Sequence, residues 1–119
     1  MTTHIHTFAP GASITCTASA DVIGGRLVEI TGPRAVAHTQ AGSVKTFGAA
    51  GTDAKAGDDV LVLRGGVQKL VAGAAIAAGT RIKPAAAGKA VAVAAGENGI
   101  GLTITTTTAA DQLIHVALD

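Results

Sequence analysis

The segment DVIGGRLV (Asp21–Val28) carries a pattern that the chain repeats twice more, as DAKAGDDV (Asp53–Val60) and AIAAGTRI (Ala75–Ile82). In each copy a glycine is followed, three residues later, by a Val or an Ile. Glycine tolerates the positive φ that a tight turn requires, and β-branched residues favour extended strands. The pattern therefore predicts short β-strands joined by tight turns.

The rest of the chain fits an all-β fold. Alternation of apolar and polar residues and turn residues between them predict strands at 13–17, 26–31, 34–39, 44–47, 60–64, 67–71, 90–94, 99–106 and 113–118. We interpret residues 48–59 as a polar loop and allow at most one helical turn in the Ala-rich segment 72–78. The prediction is a compact small barrel or sandwich of short strands with glycine-rich turns. Residues 11–119 would form a single β-domain, preceded by an extended N-terminal arm at residues 1–10.

Two adjacent glycines, Gly65 and Gly66, separate two apolar segments, Val60–Arg64 and Val67–Val71. A Gly-Gly pair in this position predicts a β-hairpin with a type I′ turn, because both central residues of that turn need positive φ. Val60–Arg64 is apolar almost throughout, which predicts a strand buried on both faces. The other glycines expected in structural turns are Gly25, Gly57, Gly79 and Gly88.

The composition predicts a small core. Of the 119 residues 2% are aromatic, Phe8 and Phe47, so Val, Ile, Leu and Ala must fill the interior. Small side chains bury less area, and each Å² of apolar area contributes only ~25 cal/mol. A monomer of this kind would be marginally stable, and self-association is a common remedy. We therefore expect a homo-oligomer.

The charge pattern argues against several classes of partner. Nine basic and eight acidic residues give a net charge of +1, without a block of one sign, so a direct nucleic-acid partner is not expected. No uncharged apolar stretch approaches the ~20 residues of a membrane helix, and the N-terminus does not resemble a signal peptide. The single cysteine, Cys16, excludes an internal disulfide and suits synthesis in a reducing cytoplasm.

Few residues suggest chemistry. His4 and His6 would share one side of a strand and could bind a metal, Cys16 could act as a nucleophile, and Asp53 with Asp58–Asp59 could bind Ca²⁺. None of them has the spacing or the partners of a known site. The simpler interpretation is preferred for each: polar positions in an arm, a buried strand residue and a solvated turn. The sequence predicts no catalytic residue, metal or cofactor, and so not an enzyme.

One family shares several of these features. The residues that carry the resemblance are Gly57–Val60, Leu63–Val67, Ile76–Gly79, Ala87–Lys89, Gly99–Leu102 and Val116–Leu118. In the spacing of these glycines and strands, the chain resembles the tailed-bacteriophage capsid cement proteins, also called head decoration proteins. The resemblance spans roughly residues 8 to 119.

The resemblance implies a compact β-domain, usually a homotrimer, made in the host cytoplasm and bound to the outer surface of the virion. It would contact the major capsid protein at three-fold or quasi-three-fold positions and stabilise the shell against the pressure of the packaged DNA. The family offers no catalytic residues. Many members use an N-terminal arm, which here would contact the capsid through His4, Ile5, His6, Phe8 and Pro10.

Two other functions stay open from the residues. A host-surface or carbohydrate-binding β-module is the main alternative, although sugar sites generally stack the sugar ring on an aromatic side chain and this chain has only two. A small enzyme or enzyme subunit is the third, and it would require a metal or an activated Cys16 thiol.

Overall fold

Ten short β-strands form the framework of residues 13–119, the part of the chain that the computed structural model describes. The strands are β1 (Ile14–Ala18), β2 (Leu27–Gly32), β3 (Ala35–His38), β4 (Thr46–Ala50), β5 (Asp59–Leu63), β6 (Val67–Val71), β7 (Arg81–Pro84), β8 (Ala90–Ala92), β9 (Gly101–Thr103) and β10 (Leu113–Leu118). A short 3₁₀ segment, Ala86–Gly88, connects β7 to β8. The predicted all-β class is confirmed.

The first five strands close into a barrel, which we call the first barrel. Their order is β1-β3-β2-β4-β5, and β5 pairs back with β1. The β1–β3 pair is parallel, with Thr17 opposite Ala35, and every other pair is antiparallel. Closure leaves the barrel without a free strand edge.

The last five strands form a second five-stranded sheet, in the order β6-β10-β9-β7-β8, which we call the second sheet. All of its ladders are antiparallel. An isolated parallel bridge between Ala72, just after β6, and Ala90 in β8 joins the two ends of the sheet. The second sheet therefore curls back on itself as the first barrel does.

The two halves of the chain share one topology. A bridge between Val22 and Ala54 precedes the turns into β2 and β5, and a bridge between Ile76 and Thr107 precedes the turns into β7 and β10. The parallel contacts also correspond, because Ala18 opposite Val36 in the first half matches Ala72 opposite Ala90 in the second. The three sequence repeats are thus three of four equivalent turns, and the fourth covers residues 107–113.

Two hydrophobic clusters fill the interior. The first lies inside the first barrel, with members Cys16, Ala18, Val22, Val28, Val36, Ala50, Val60 and Val62. The second lies against the second sheet and includes Leu70, Ile82, Ile114 and Val116. It also includes Leu27 and Ala49, which are cross-strand partners in the first barrel. Because these two side chains point out of the first barrel into the second cluster, the halves share a core.

Backbone and hydroxyl hydrogen bonds reinforce this junction. The hydroxyl of the buried Thr39 donates to the Ala85 carbonyl at 2.9 Å, and the Thr39 backbone carbonyl accepts a hydrogen bond from the Gly88 N–H at 3.3 Å. A Cβ at Gly88 would lie 2.6 Å from the carbonyl oxygen of Leu27. The close approach of the two halves here therefore requires a glycine.

Most predicted strands lie at or near their predicted positions, and β6 and β10 match the predicted residues. The predicted loop at 48–59 is wrong at both ends, because Gly48–Ala50 belongs to β4 and Asp59 begins β5. Small residues there are needed where β4 lies close to β5, since a Cβ at Gly48 would meet the Leu63 carbonyl oxygen at 2.5 Å. The segment 72–78 contains no helical turn and instead forms the bridges at Ala72 and Ile76.

The predicted β5–β6 hairpin is wrong. Gly65 and Gly66 do have positive φ, 65° and 63°, but β5 pairs with β1 and β4 while β6 pairs with β10. The turn therefore connects the two halves instead of closing a hairpin. The prediction that β5 is buried on both faces is also wrong, because Val60 and Val62 are buried whereas Asp59 and Leu61 are exposed.

Candidate functional site

Of the residues considered for chemistry, Cys16 is a buried strand residue and the three aspartates lie at the surface, whereas His4 and His6 lie outside the described residues. Cys16 is buried opposite Val60, as predicted, and burial raises the pKa of its thiol, which opposes nucleophilic reactivity. Asp53, Asp58 and Asp59 are exposed, and Asp53 Oδ1 accepts a hydrogen bond from the Gly24 N–H at 2.7 Å. Within residues 13–119, no group of three or more His, Cys, Asp or Glu side chains lies close enough to hold a metal ion.

Several carboxylates are held by neighbouring cations. Lys83 Nζ lies 2.8 Å from Glu97, and Lys89 Nζ lies 2.6 Å from Asp111. The hydrogen bond from each lysine holds the pKa of its carboxyl partner below the ordinary value. Groups held in their charged form suit fixed surface contacts better than proton transfer at neutral pH. Exposed pairs of this kind contribute little to stability individually.

A shallow cleft of about 200 Å³ lies where the two halves meet, lined by Leu27, Phe47, Arg64, Ile100 and Leu118 among others. The Arg64 guanidinium carbon lies 4.7 Å from the centre of the Phe47 ring, and Arg64 Nε donates to the Phe47 carbonyl at 2.9 Å. Phe47 is the only aromatic side chain among residues 13–119. Arg64 covers one face of this ring, and that face is therefore not available for stacking on a sugar.

His38 supports the turn that leads into β2. Its Nε2 accepts a hydrogen bond from the backbone N–H of Ile23 at 2.9 Å. Only an unprotonated Nε2 can accept this bond. Burial and the nearby Arg26 charge lower the pKa of His38, so the imidazole is neutral at neutral pH.

The structure describes the predicted turn glycines but not the predicted arm residues. The φ angles of Gly25, Gly57, Gly65, Gly66, Gly79 and Gly88 are 83°, 90°, 65°, 63°, 81° and 71°, and positive φ is the property on which the turn prediction rests. The arm residues predicted to contact a capsid lie outside the described residues: His4, Ile5, His6, Phe8 and Pro10.

Sequence reasoning missed one surface. On the outer side of β6, β10 and the end of β9, five large apolar side chains point to solvent, and we call them the apolar face: Val67, Val71, Leu102, Ile104 and Leu113. Four of them are strongly exposed, at 56% for Val67, 39% for Leu102, 50% for Ile104 and 62% for Leu113. The signal was present in β10, where apolar residues occupy both alternating sets, Leu113 and Ala117 outside and Ile114 and Val116 inside.

No helix of the described residues is long and apolar enough to cross a bilayer. Among curated proteins, none matches this chain. Among solved structures, the fold is similar to one described as the head fiber gp8.5 N base in bacteriophage phi29, with a TM-score of 0.74 and 20% sequence identity. The match covers 91% of this chain and 93% of that one, so the whole two-part architecture is shared.

A family model for phage cement proteins matches residues 8–118 of this sequence. The match extends over both the first barrel and the second sheet, which agrees with the resemblance seen in the spacing of glycines and strands. The family consists of structural phage proteins associated with the capsid. This chain belongs to the phage cement protein family.

Proposed function

We propose that this capsid-associated structural protein is a cement protein bound to the outer surface of a phage head at three-fold or quasi-three-fold positions. It acts as a homotrimer, its partner is the major capsid protein, and it stabilises the shell against internal DNA pressure. The observation that carries this proposal is the family match across residues 8–118. Synthesis takes place in the host cytoplasm, and the mature location is the virion.

The physical properties of the described residues support a mechanical role. The first barrel is closed, the second sheet is bridged end to end, and Leu27 and Ala49 tie the two into one core. A clamp needs a rigid body and a complementary surface, and a deep pocket is unnecessary. The cleft between the halves is shallow and partly filled by Arg64.

Weak contacts can give a durable clamp when three are linked. We propose that each arm contacts the shell through His4, Ile5, His6, Phe8 and Pro10. Burial of Ile5 and Phe8 contributes about 1.5–3 kcal/mol each, and a net of about 4 kcal/mol after ordering costs corresponds to roughly millimolar affinity. Three linked arms rebind at about millimolar effective concentration, which makes trimer attachment much stronger than that of one chain.

The test is cosedimentation with capsids of the same phage that lack this protein. We expect saturable binding to intact shells, no binding to the free major capsid protein, and DNA release at a higher temperature once the protein is bound. Deletion of residues 2–10 should weaken binding without changing the circular dichroism spectrum. Failure to bind intact capsids would refute the proposal, and undiminished affinity of the truncated chain would refute the role of the arm. A specific hit on a glycan array would favour a carbohydrate-binding module instead.

A further inference from the structure

The apolar face is a property of the second sheet and is not required by its topology. Val71 and Leu113 are cross-strand partners on this face, and their equivalents in the first barrel are the paired Thr17 and Asp59. The same fold thus accepts a polar pair here. Exposed apolar side chains that the fold does not need mark a surface that binds something.

Ile104 shows the same contrast. Its N–H donates to the His115 carbonyl at 2.9 Å, and the equivalent N–H in the first barrel, that of Gly51, donates to Leu61 at 2.7 Å. A half-exposed isoleucine therefore stands where the first barrel has no side chain at all.

Within the chain, the outer side of the β2–β4 pair already packs against the other half. In the first barrel, the cross-strand pair Leu27 and Ala49 points outward and is buried in the core of the second sheet. The equivalent pair in the second sheet is Arg81 and Leu102, where Leu102 lies at the edge of the apolar face and is exposed. A barrel of a second copy placed on Leu102 would continue the barrel-to-sheet packing seen within the chain.

Charge complementarity also favours a second copy. Lys69 is exposed in the middle of the apolar face, opposite His115, and has no carboxylate within 4.0 Å among the described residues. In the first barrel, Asp58 and Asp59 are exposed and likewise lack a cation within that distance in the part of the chain that the structure describes. Asp59 lies beside the exposed Leu61 on the outer side of β5. The two surfaces of one chain therefore complement each other.

We propose that the apolar face binds the first barrel of a second copy of this chain, with Lys69 opposite Asp58 and Asp59. Because two different surfaces of the chain meet, the contact is head-to-tail, and such contacts close into a ring when the rotation between copies allows it. The inference rests on the proposed homotrimer and names the surfaces through which it forms. In this contact the apolar residues surround Lys69, and the two aspartates of the second copy pair with its charge.

The test uses the full chain and measures its mass by light scattering across micromolar concentrations. Ile104→Ser with Leu113→Ser removes two exposed side chains that the fold does not need, and Val44→Ser, at a position 96% exposed outside the face, is the matched control. We expect the wild type and V44S to have the mass of three chains. The double variant should dissociate at least about 100-fold more readily, with an unchanged circular dichroism spectrum.

The charge pairing is tested by reversal. Lys69→Asp, and Asp58→Lys together with Asp59→Lys, should each weaken association by about tenfold, and all three changes in one chain should restore most of it. A fully reversed chain that associates no more strongly than the partly reversed ones would overturn the pairing with the first barrel.

Other outcomes would overturn the proposal as a whole. The proposal is overturned if the wild type is monomeric at every concentration. It is also overturned if the I104S/L113S chain keeps the wild-type mass. A monomeric wild type that still binds capsids would leave the proposed cement role standing. If I104S/L113S then lost capsid binding, the apolar face would be the capsid contact instead.

Discussion

Asp111, in the turn before β10, occupies the position that Gly57 occupies in the turn before β5, and both residues have positive φ, 66° and 90°. The Gly57 N–H donates to the Ala18 carbonyl at 2.7 Å, and the Asp111 N–H donates to the equivalent Ala72 carbonyl at 2.8 Å. The same turn is thus made once with glycine and once without it. Left-handed backbone is unfavourable for most residues, although Asp and Asn tolerate it better than others.

Replacing Asp111 tests the strain at this turn. Asp111→Gly and Asp111→Ala both remove the Lys89 ion pair, so the difference between them reports the backbone alone. We expect the glycine variant to be more stable than the alanine variant by about 1 kcal/mol, because alanine pays the steric cost of positive φ. Urea denaturation measures both, and equal or greater stability of D111A would contradict the prediction.

Val62→Asp tests which face of β5 is buried. Val62 is fully buried inside the first barrel, and an unpaired carboxylate there should cost at least about 4 kcal/mol and unfold most of the protein. Leu61→Asp, on the outer side of the same strand, is the control and should remain folded. Circular dichroism and denaturation distinguish them. A folded V62D chain would mean that this strand is not part of the core.

Gly48 and Gly101 are equivalent positions that leave no room for a side chain. A Cβ at Gly48 would lie 2.5 Å from the Leu63 carbonyl oxygen, and a Cβ at Gly101 would lie 2.7 Å from Val116 Cγ1. Gly48→Ala and Gly101→Ala should each destabilise the protein by about 1–3 kcal/mol through overpacking. Gly32→Ala, whose Cβ would make an ordinary contact at 3.7 Å, should cost far less, and thermal unfolding compares the three. Similar midpoints for all three variants would show that the strands separate easily.

Gly66→Val tests the turn between the halves. A Cβ at Gly66 would meet nothing closer than 3.8 Å, so the expected loss of about 1–3 kcal/mol comes from the φ of 63° alone. Gly66→Asn should cost much less, because asparagine tolerates this conformation. Chemical denaturation of both variants measures the difference. An undiminished stability of G66V would show that the turn readily adopts another geometry.

His38 should make stability depend on pH. Its pKa in the folded state lies below the ordinary value of 6.5, chiefly because of burial, so the unfolded chain binds the proton more readily. By linkage, the contribution of His38 is fully present above pH 6.5 and is lost as the pH falls from there through the lowered folded-state pKa. His38→Gln keeps an acceptor for the Ile23 N–H without a titrating group, so its stability should vary less between about pH 7.5 and about pH 5.5. Identical pH profiles would contradict this role.

Local sequence signals predicted the local structure well. The strand residues of β6 and β10 match, and the glycines of the repeated pattern have positive φ where the turns need it. These features depend on neighbouring residues, which are visible in the sequence. The burial of Cys16 was also predictable from its place among strand-forming residues.

The errors concern partners that are distant in sequence. Gly65-Gly66 specified its backbone angles, but whether β5 and β6 then pair depends on β1 and β10, at the far ends of the two halves. The fourth turn was missed because Asp111 replaces the glycine that marks the other three. Both alternating sets of β10 are apolar in the sequence, but only the strand register shows which set points outward and joins the apolar face.

The repeated topology has a consequence for how the chain folds. Within residues 13–119 every strand ladder lies in one half, so the longest closures, β1 with β5 and β6 with β10, each span less than half of the chain. Loop-closure entropy grows with the separation of the pairing segments, so each half can search for its pairings over a short distance. Leu27 and Ala49 join the second cluster only when both halves meet, and this docking should make unfolding a single cooperative event instead of two.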